Sequence, residues 1–254
     1  MTARQVYVPV AALLIFLAAW EALVWVMGWP TFKMAAPSDL PPAYAKYWEL
    51  FLTMGWQTLW RTVAGLFLAV VFGTALGMVM GFSRTMRDAL YPLLVGFNAV
   101  PKATVVPIVA LMFVGWHDFN TVLIAFMISF FPIAVSVSIG LSTLEPEYRD
   151  ILRSLGASQS TIFWKIALPK TLPEFFGALK VSVTLAFIGT NLMEIVSPHG
   201  RGLGALFDSG KTNSDYPLMF AVLIALALLG IFLYYIVVAL EKTFAGWADR
   251  SNPY

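Results

Sequence analysis

Apolar residues in this chain gather into six long blocks separated by shorter polar intervals. The blocks cover about residues 6–29, 59–82, 89–114, 121–141, 173–196 and 217–240. Each reaches the roughly 20 residues that a helix needs to cross the hydrocarbon core of a bilayer. The pattern predicts an all-α, polytopic membrane protein with about six transmembrane helices. The first block carries one charge, Glu21, and sets Trp20, Trp25 and Trp29 toward its far end, where indoles favour the membrane interface. A secretory signal would need a shorter apolar region and a small-residue cleavage site, so this block reads as an uncleaved helix.

Features inside the blocks refine the picture. Gly65, Ala69, Gly73, Gly77 and Gly81 recur every four residues in the second block, a stripe that lets another helix approach closely. Pro92, Pro101 and Pro107 interrupt the third block, which also holds Asn98 and Lys102. Proline frees backbone carbonyls that only neighbouring helices or a water-lined cavity can satisfy, so a broken helix lining a pathway is expected there. Between the first two blocks, Pro30, Pro37, Pro41 and Pro42 mark an external loop leading into a short amphipathic helix. The Gly-rich, polar interval 197–216 reads as a flexible outer loop.

Charge sets the orientation. With the N-terminus in the cytoplasm, the inner segments carry Arg4, Arg84, Arg87, Arg149, Arg153, Lys165, Lys170, Lys242 and Arg250, against Lys33, Lys46, Arg201 and Lys211 outside. The positive-inside bias therefore places both termini and the charged interval 142–171 in the cytoplasm. Within that interval Pro146 opens a short helix with Tyr148, Ile151, Leu152 and Leu155 on its apolar face. Gly156 breaks it, Ser158 caps a second short helix, and Pro169 is expected to stop that helix after Leu168. By pattern alone this is either a docking projection or a loop resting on lipid headgroups.

Composition removes other chemistries. The chain has 254 residues, 59% hydrophobic and 12% charged, whereas a soluble domain is about a quarter charged. With no cysteine there is no disulfide, thiolate metal site or thiol nucleophile. His117 and His199 are too far apart for a metal-binding helix, and both read as solvated side chains. No nucleophile and base, paired carboxylates or metal cluster assembles, so neither a catalytic residue nor a bound metal or cofactor is expected. A net charge of +2 without a basic run gives no reason to expect nucleic acid. Gly210-Lys211-Thr212 resembles the end of a phosphate-binding loop, but Ala205 stands where that motif requires glycine.

Spacing decides between the two readings of the charged interval. Asp150-Ile151-Leu152-Arg153-Ser154-Leu155-Gly156, nine further residues, then Ile166-Ala167-Leu168-Pro169 resembles the EAA loop of ABC importer permeases. Gly156-Ala157-Ser158, Ile166, Leu168 and Pro169 fall in register; Asp150 stands where Glu is usual, and Ile151 and Leu152 replace two alanines. Within that family the chain is most similar to the nitrate/sulfonate/taurine branch, through Trp20-Glu21, Trp60-Arg61-Thr62-Val63-Ala64-Gly65-Leu66, Pro101-Lys102, Pro107, Glu194 and Gly202-Leu203-Gly204. It departs from the branch at Val114-Gly115-Trp116-His117-Asp118, where a Phe-Gly-Ile-Gly-like turn is usual.

The resemblance implies a type I ABC importer permease fold, with residues 1–254 forming one transmembrane permease domain of a bacterial inner-membrane transporter and 142–171 its cytoplasmic coupling loop. It implies docking of Glu147, Asp150, Gly156, Ala157, Ser158, Ile162, Phe163, Ile166, Leu168 and Pro169 on an ATP-binding cassette ATPase. The expected assembly holds an ATPase dimer that carries the ATP and Mg, a second permease copy, an extracytoplasmic substrate-binding protein and membrane lipid. The implied substrate is a small anion such as a sulfonate, nitrate or an organic acid. Intramembrane polar groups are costly and point to function, so Asn98, Lys102, Asn191 and Glu194 are candidates to line the pathway. Glu21 reads as structural or interfacial, and Lys180 as a snorkelling side chain. A secondary transporter or channel without an ATPase would also suit six spans, but leaves the Gly156–Pro169 spacing unexplained.

Overall fold

The computed structural model describes residues 3–142, 151–197 and 200–247. These form helices and turns, with no strand among them. Helix α1 (Ala3–Met27) ends at Gly28, which takes a left-handed φ of +57°. A one-turn 3-10 segment (Pro37–Asp39) and α2 (Leu40–Lys46) follow outside the first span. Helix α3 (Trp48–Phe82) runs unbroken for 35 residues, so the separate short helix expected before the second span is the first part of α3 itself. Gly55 alone does not break it, because the turns on either side are rich in helix-forming side chains.

Helices α4 (Arg84–Ala99) and α5 (Lys102–Met112) meet at an 85° bend. Val100 at the bend is extended, the conformation that a following proline imposes, and Pro101 opens α5. Pro92 and Pro107 remain inside helices, so only one of the three prolines breaks the chain. Helix α6 (His117–Ser142) crosses back. After it come α7 (Gln159–Ile162), one π-helical turn (Phe163–Ala167) and α8 (Leu168–Val196). The chain closes with α9 (Leu203–Thr212) and α10 (Tyr216–Phe244). Five of these stretches are long and apolar enough to span a bilayer, and the bent pair α4–α5 makes up to six.

The core is the three-helix contact of α3, α6 and α8. Gly65, Gly73 and Gly77 lie against α6; a Cβ at Gly77 would sit 2.7 Å from both the Ala134 carbonyl oxygen and the Val137 Cβ. The small-residue stripe is therefore a packing surface. Buried Met80, Ile133, Ala134, Val137, Phe176 and Val183 fill the space around it. Helix α1 stays at the periphery, with 6% of its spanning window buried. Glu21 ties it on, accepting hydrogen bonds from the Ser38 N–H (3.0 Å) and hydroxyl (2.8 Å).

Two sequence expectations are overturned here. Pro169 does not stop a helix, because the π turn before it widens the backbone and the Leu168 N–H reaches back to the Phe163 carbonyl. Proline in the first turn of α8 then leaves no intrahelical donor missing. The interval 197–216 is no flexible loop either. It contains α9, whose Leu203 and Leu206 pack with Leu218 and Val222 in a buried cluster, and Gly210-Lys211-Thr212 ends that helix.

Candidate functional site

Two groups of residues stand at opposite ends of the bundle: the segment around Gly156, and a polar cluster around Arg61. About 21 residues of α3 separate Arg61 from Phe82, roughly 30 Å at the helical rise.

At the Gly156 end, residues 151–154 are helical and the chain turns at Gly156 with φ +83°. The Ala157 N–H bonds the Leu152 carbonyl (3.0 Å) and the Gly156 N–H bonds the Arg153 carbonyl (2.9 Å). This is the paired closure of a helix end that favours glycine in the left-handed position. Ser158 caps α7 by accepting from the Thr161 N–H at 3.1 Å. Ile162 is 4% exposed, Phe163 meets Phe82 with ring centroids 5.3 Å apart, and Ile166 packs on the central core. Those three side chains pack against the bundle, Ile162 buried and Phe163 and Ile166 half-buried. The outward apolar residues are Ile151 (57% exposed), Leu155 (79%) and Trp164 (63%). Glu147 and Asp150 lie outside the described residues. Beneath the turn, Val70, Thr74, Met78, Leu141, Phe163 and Leu172 line a cavity of about 260 Å³.

At the other end, Glu194 is enclosed, its side chain 1% exposed. Its carboxylate accepts from the Thr58 hydroxyl (2.8 Å), Arg61 Nη1 (3.2 Å) and the Gly204 N–H (3.0 Å). Arg61 Nε and Nη2 also donate to Asp118 Oδ1 at 2.9 and 2.6 Å, and its Nη1 donates to the Arg201 carbonyl. The Leu203 N–H donates to the Thr58 hydroxyl at 2.8 Å. One turn deeper, the Thr62 hydroxyl donates to Thr190 at 3.0 Å. A buried carboxylate and hydroxyl thus satisfy the first N–H groups of α9, where the helix dipole favours negative charge. Gly202, at φ +128°, passes so close to the carboxylate that no side chain fits there.

The four pathway candidates do not converge. Glu194, on α8, joins α3 and the start of α9 and forms a buried ion pair with Arg61. Three residues away, Asn191 Nδ2 donates to the Phe187 carbonyl at 2.7 Å. Lys102 folds back on the α4–α5 bend, donating to the carbonyls of Phe97 (2.5 Å), Asn98 (3.2 Å) and Val100 (3.1 Å). It serves the carbonyls left open where α4 ends. Asn98 is exposed beside it. Lys180 does not snorkel: its Nζ lies 2.9 Å from Glu241 on α10. His117 is half-buried rather than solvated, with Nδ1 2.9 Å from the Ser197 hydroxyl; His199 lies outside the described residues. Sequence reasoning missed Arg61, Asp118 and Thr58, although a lone arginine inside an apolar block signals a buried partner. Among the described residues no cluster of His, Asp and Glu could hold a metal ion.

Known proteins match this chain along most of its length. Over 97% of its length it is 30% identical to the formylaminopyrimidine transport permease protein ThiX of Halalkalibacterium halodurans, covering 98% of that relative. It is 26% identical to the taurine transport system permease protein TauC of Escherichia coli, over 96% of this chain and 90% of the other. In structure it resembles a chain of the inward-facing MetNI methionine ABC transporter, with TM-score 0.63 and 18% identity over 79% of this chain and 98% of that one. The fold is accordingly that of a type I ABC importer permease. Residues 69–246 match the model of the binding-protein-dependent transport system inner membrane component. The chain belongs to that family and is a multi-pass membrane permease subunit of an ABC importer.

Proposed function

We propose that this permease forms the solute pathway of a bacterial inner-membrane importer and is driven through the segment 142–171 by a cytoplasmic ATP-binding cassette ATPase. Residues 1–254 act as one permease domain with both termini in the cytoplasm. ATP and Mg are bound and hydrolysed on the ATPase dimer, and this chain itself performs no chemistry. A second copy of the chain completes the pathway, and an extracytoplasmic binding protein delivers a small anion such as a sulfonate, nitrate or an organic acid.

The observation that carries this reading is the Gly156 turn, which leaves Ile151, Leu155 and Trp164 exposed at one end of the bundle. Exposed apolar side chains on a rigid projection mark a partner surface. Glu147, Asp150, Gly156, Ala157 and Ser158 belong to the docking segment, while Ile162, Phe163, Ile166, Leu168 and Pro169 transmit its movement into α8. Asn98 and Lys102 at the α4–α5 bend, with Asn191 and Glu194, are the candidates to border the pathway, and the ion pair of Glu194 also holds the outer end together.

The test is co-purification with the neighbouring gene products followed by reconstitution into liposomes. An ATPase and a binding protein should accompany the chain, and Leu155→Asp should abolish ATPase association while leaving membrane insertion intact. Solute uptake that proceeds without any ATPase would overturn the importer reading in favour of a secondary transporter or channel.

A further inference from the structure

The residues at which the sequence leaves its closest branch, Trp116, His117 and Asp118, come together with Arg61, Phe119 and Arg201 around an open cavity of about 600 Å³. It lies at the end of the bundle away from Gly156. Its volume falls in the range of small-molecule sites, roughly 300–1,000 Å³.

The charges in this cavity have unequal freedom. Arg61 is 2% exposed and fully engaged by Asp118, Glu194 and the Arg201 carbonyl. Asp118 Oδ1 takes both of its bonds from Arg61. Arg201 is different: its carbonyl is anchored by Arg61, the residue borders the cavity and is exposed, and among the described residues no carboxylate pairs with it. The formal charges of Arg61 and Arg201 against Asp118 and Glu194 sum to zero, so no net field gathers bare inorganic anions. Recognition then depends on directional contact with one guanidinium and on the walls. Those walls are aromatic. Trp116 is 66% and Phe119 45% exposed, with ring centroids 6.0 Å apart at 82°, and Phe113 braces Phe119 at 5.2 Å.

We infer that this cavity is a solute site selective for a flat organic anion, whose carboxylate or sulfonate pairs with the Arg201 guanidinium while its ring lies against Trp116 and Phe119. The inference rests on the importer reading and narrows it: among small anions, an aromatic acid fits and nitrate does not. A planar guanidinium offers two parallel donors to such a head group, and an aromatic body adds ring contacts that an alkyl or inorganic anion lacks.

The test uses the permease–ATPase complex in nanodiscs, without the binding protein, and 4-fluorobenzenesulfonate as the probe, followed by fluorine NMR. The intact complex should bind the probe, and equal concentrations of nitrate or methanesulfonate should not displace it. Arg201→Gln should weaken binding about tenfold or more, the usual cost of a charge-assisted pair. Trp116→Leu should weaken it several-fold, and Trp116→Phe should keep it within about twofold. Undiminished binding to Arg201→Gln or Trp116→Leu, or equal displacement by nitrate, would overturn the inference. So would an Arg201→Gln variant that binds the probe normally but loses affinity for the binding protein, since the cavity would then be a protein-docking face. Each of these failures would leave ATPase association intact, which separates them from failure of the importer reading.

Discussion

Arg61→Met should be among the most destabilising single changes in this permease. Methionine keeps the length of the side chain but removes the cation that faces Glu194 at 3.2 Å. Glu194 would then be a carboxylate with 1% of its side chain exposed and only the Thr58 hydroxyl and the Gly204 N–H as donors. Leaving one partner of a buried pair uncompensated costs about 3–5 kcal/mol. For a chain of this size each kcal/mol moves the melting midpoint by about 2–4 °C, so the expected drop is about 6–20 °C. Glu194→Gln should be milder, about 1–3 kcal/mol, because Arg61 retains Asp118, itself 61% exposed to solvent. The double variant removes both charges and should recover at least about 1 kcal/mol of the summed loss. Thermal unfolding in detergent, followed by tryptophan fluorescence at a single scan rate, measures all three. Additive losses, or an Arg61→Met variant as stable as the parent, would refute the claim that these residues form a buried, coupled pair.

Other expectations address packing, coupling and pH. Gly77→Val should cost about 1–3 kcal/mol by forcing α3 from α6, whereas Gly55→Ala, with nothing within 4 Å of the added methyl, should gain up to about 1 kcal/mol; melting curves of the two separate close approach from propensity. Gly156→Val should lower substrate-stimulated ATP hydrolysis without loss of expression, since φ +83° is strained for a β-branched residue. Burial opposes the charge on Asp215, yet the Tyr47 hydroxyl at 2.6 Å, the Leu218 N–H and Lys46 outweigh it and hold the carboxyl below its ordinary value. Tyr47→Phe should therefore cost about 1 kcal/mol above the ordinary carboxylate range, and the gap to the parent should close only as pH falls below that range, where the lowered Asp215 carboxyl protonates; melting curves at about pH 7 and about pH 2.5 check the sign.

The spans were legible because apolar block length is dictated by bilayer thickness, and the break at Pro101 because a proline constrains the residue before it. Ser158 and Gly156 were legible for the same local reason: a cap and a left-handed turn each depend on one residue type. The Arg61 cluster was not, since its members lie 57 and 133 residues apart in sequence and only the helix packing brings them together. The continuation of the helix past Leu168 was not legible because Pro169 looks like a stop, whereas the backbone absorbs it by widening one turn.

That widened turn converts length into angle. An α-helix advances about 100° per residue and a π turn less, because its hydrogen bonds span five residues; if the five residues Phe163–Ala167 tightened to plain helix with none removed, everything before them would swing by roughly a quarter-turn around the axis of α8. Ile151 and Leu155 would point away from whatever they now face, with every residue of the segment still present. The aim of everything before α8 is thus held by a five-residue turn, and tightening it would redirect that surface without altering a single residue.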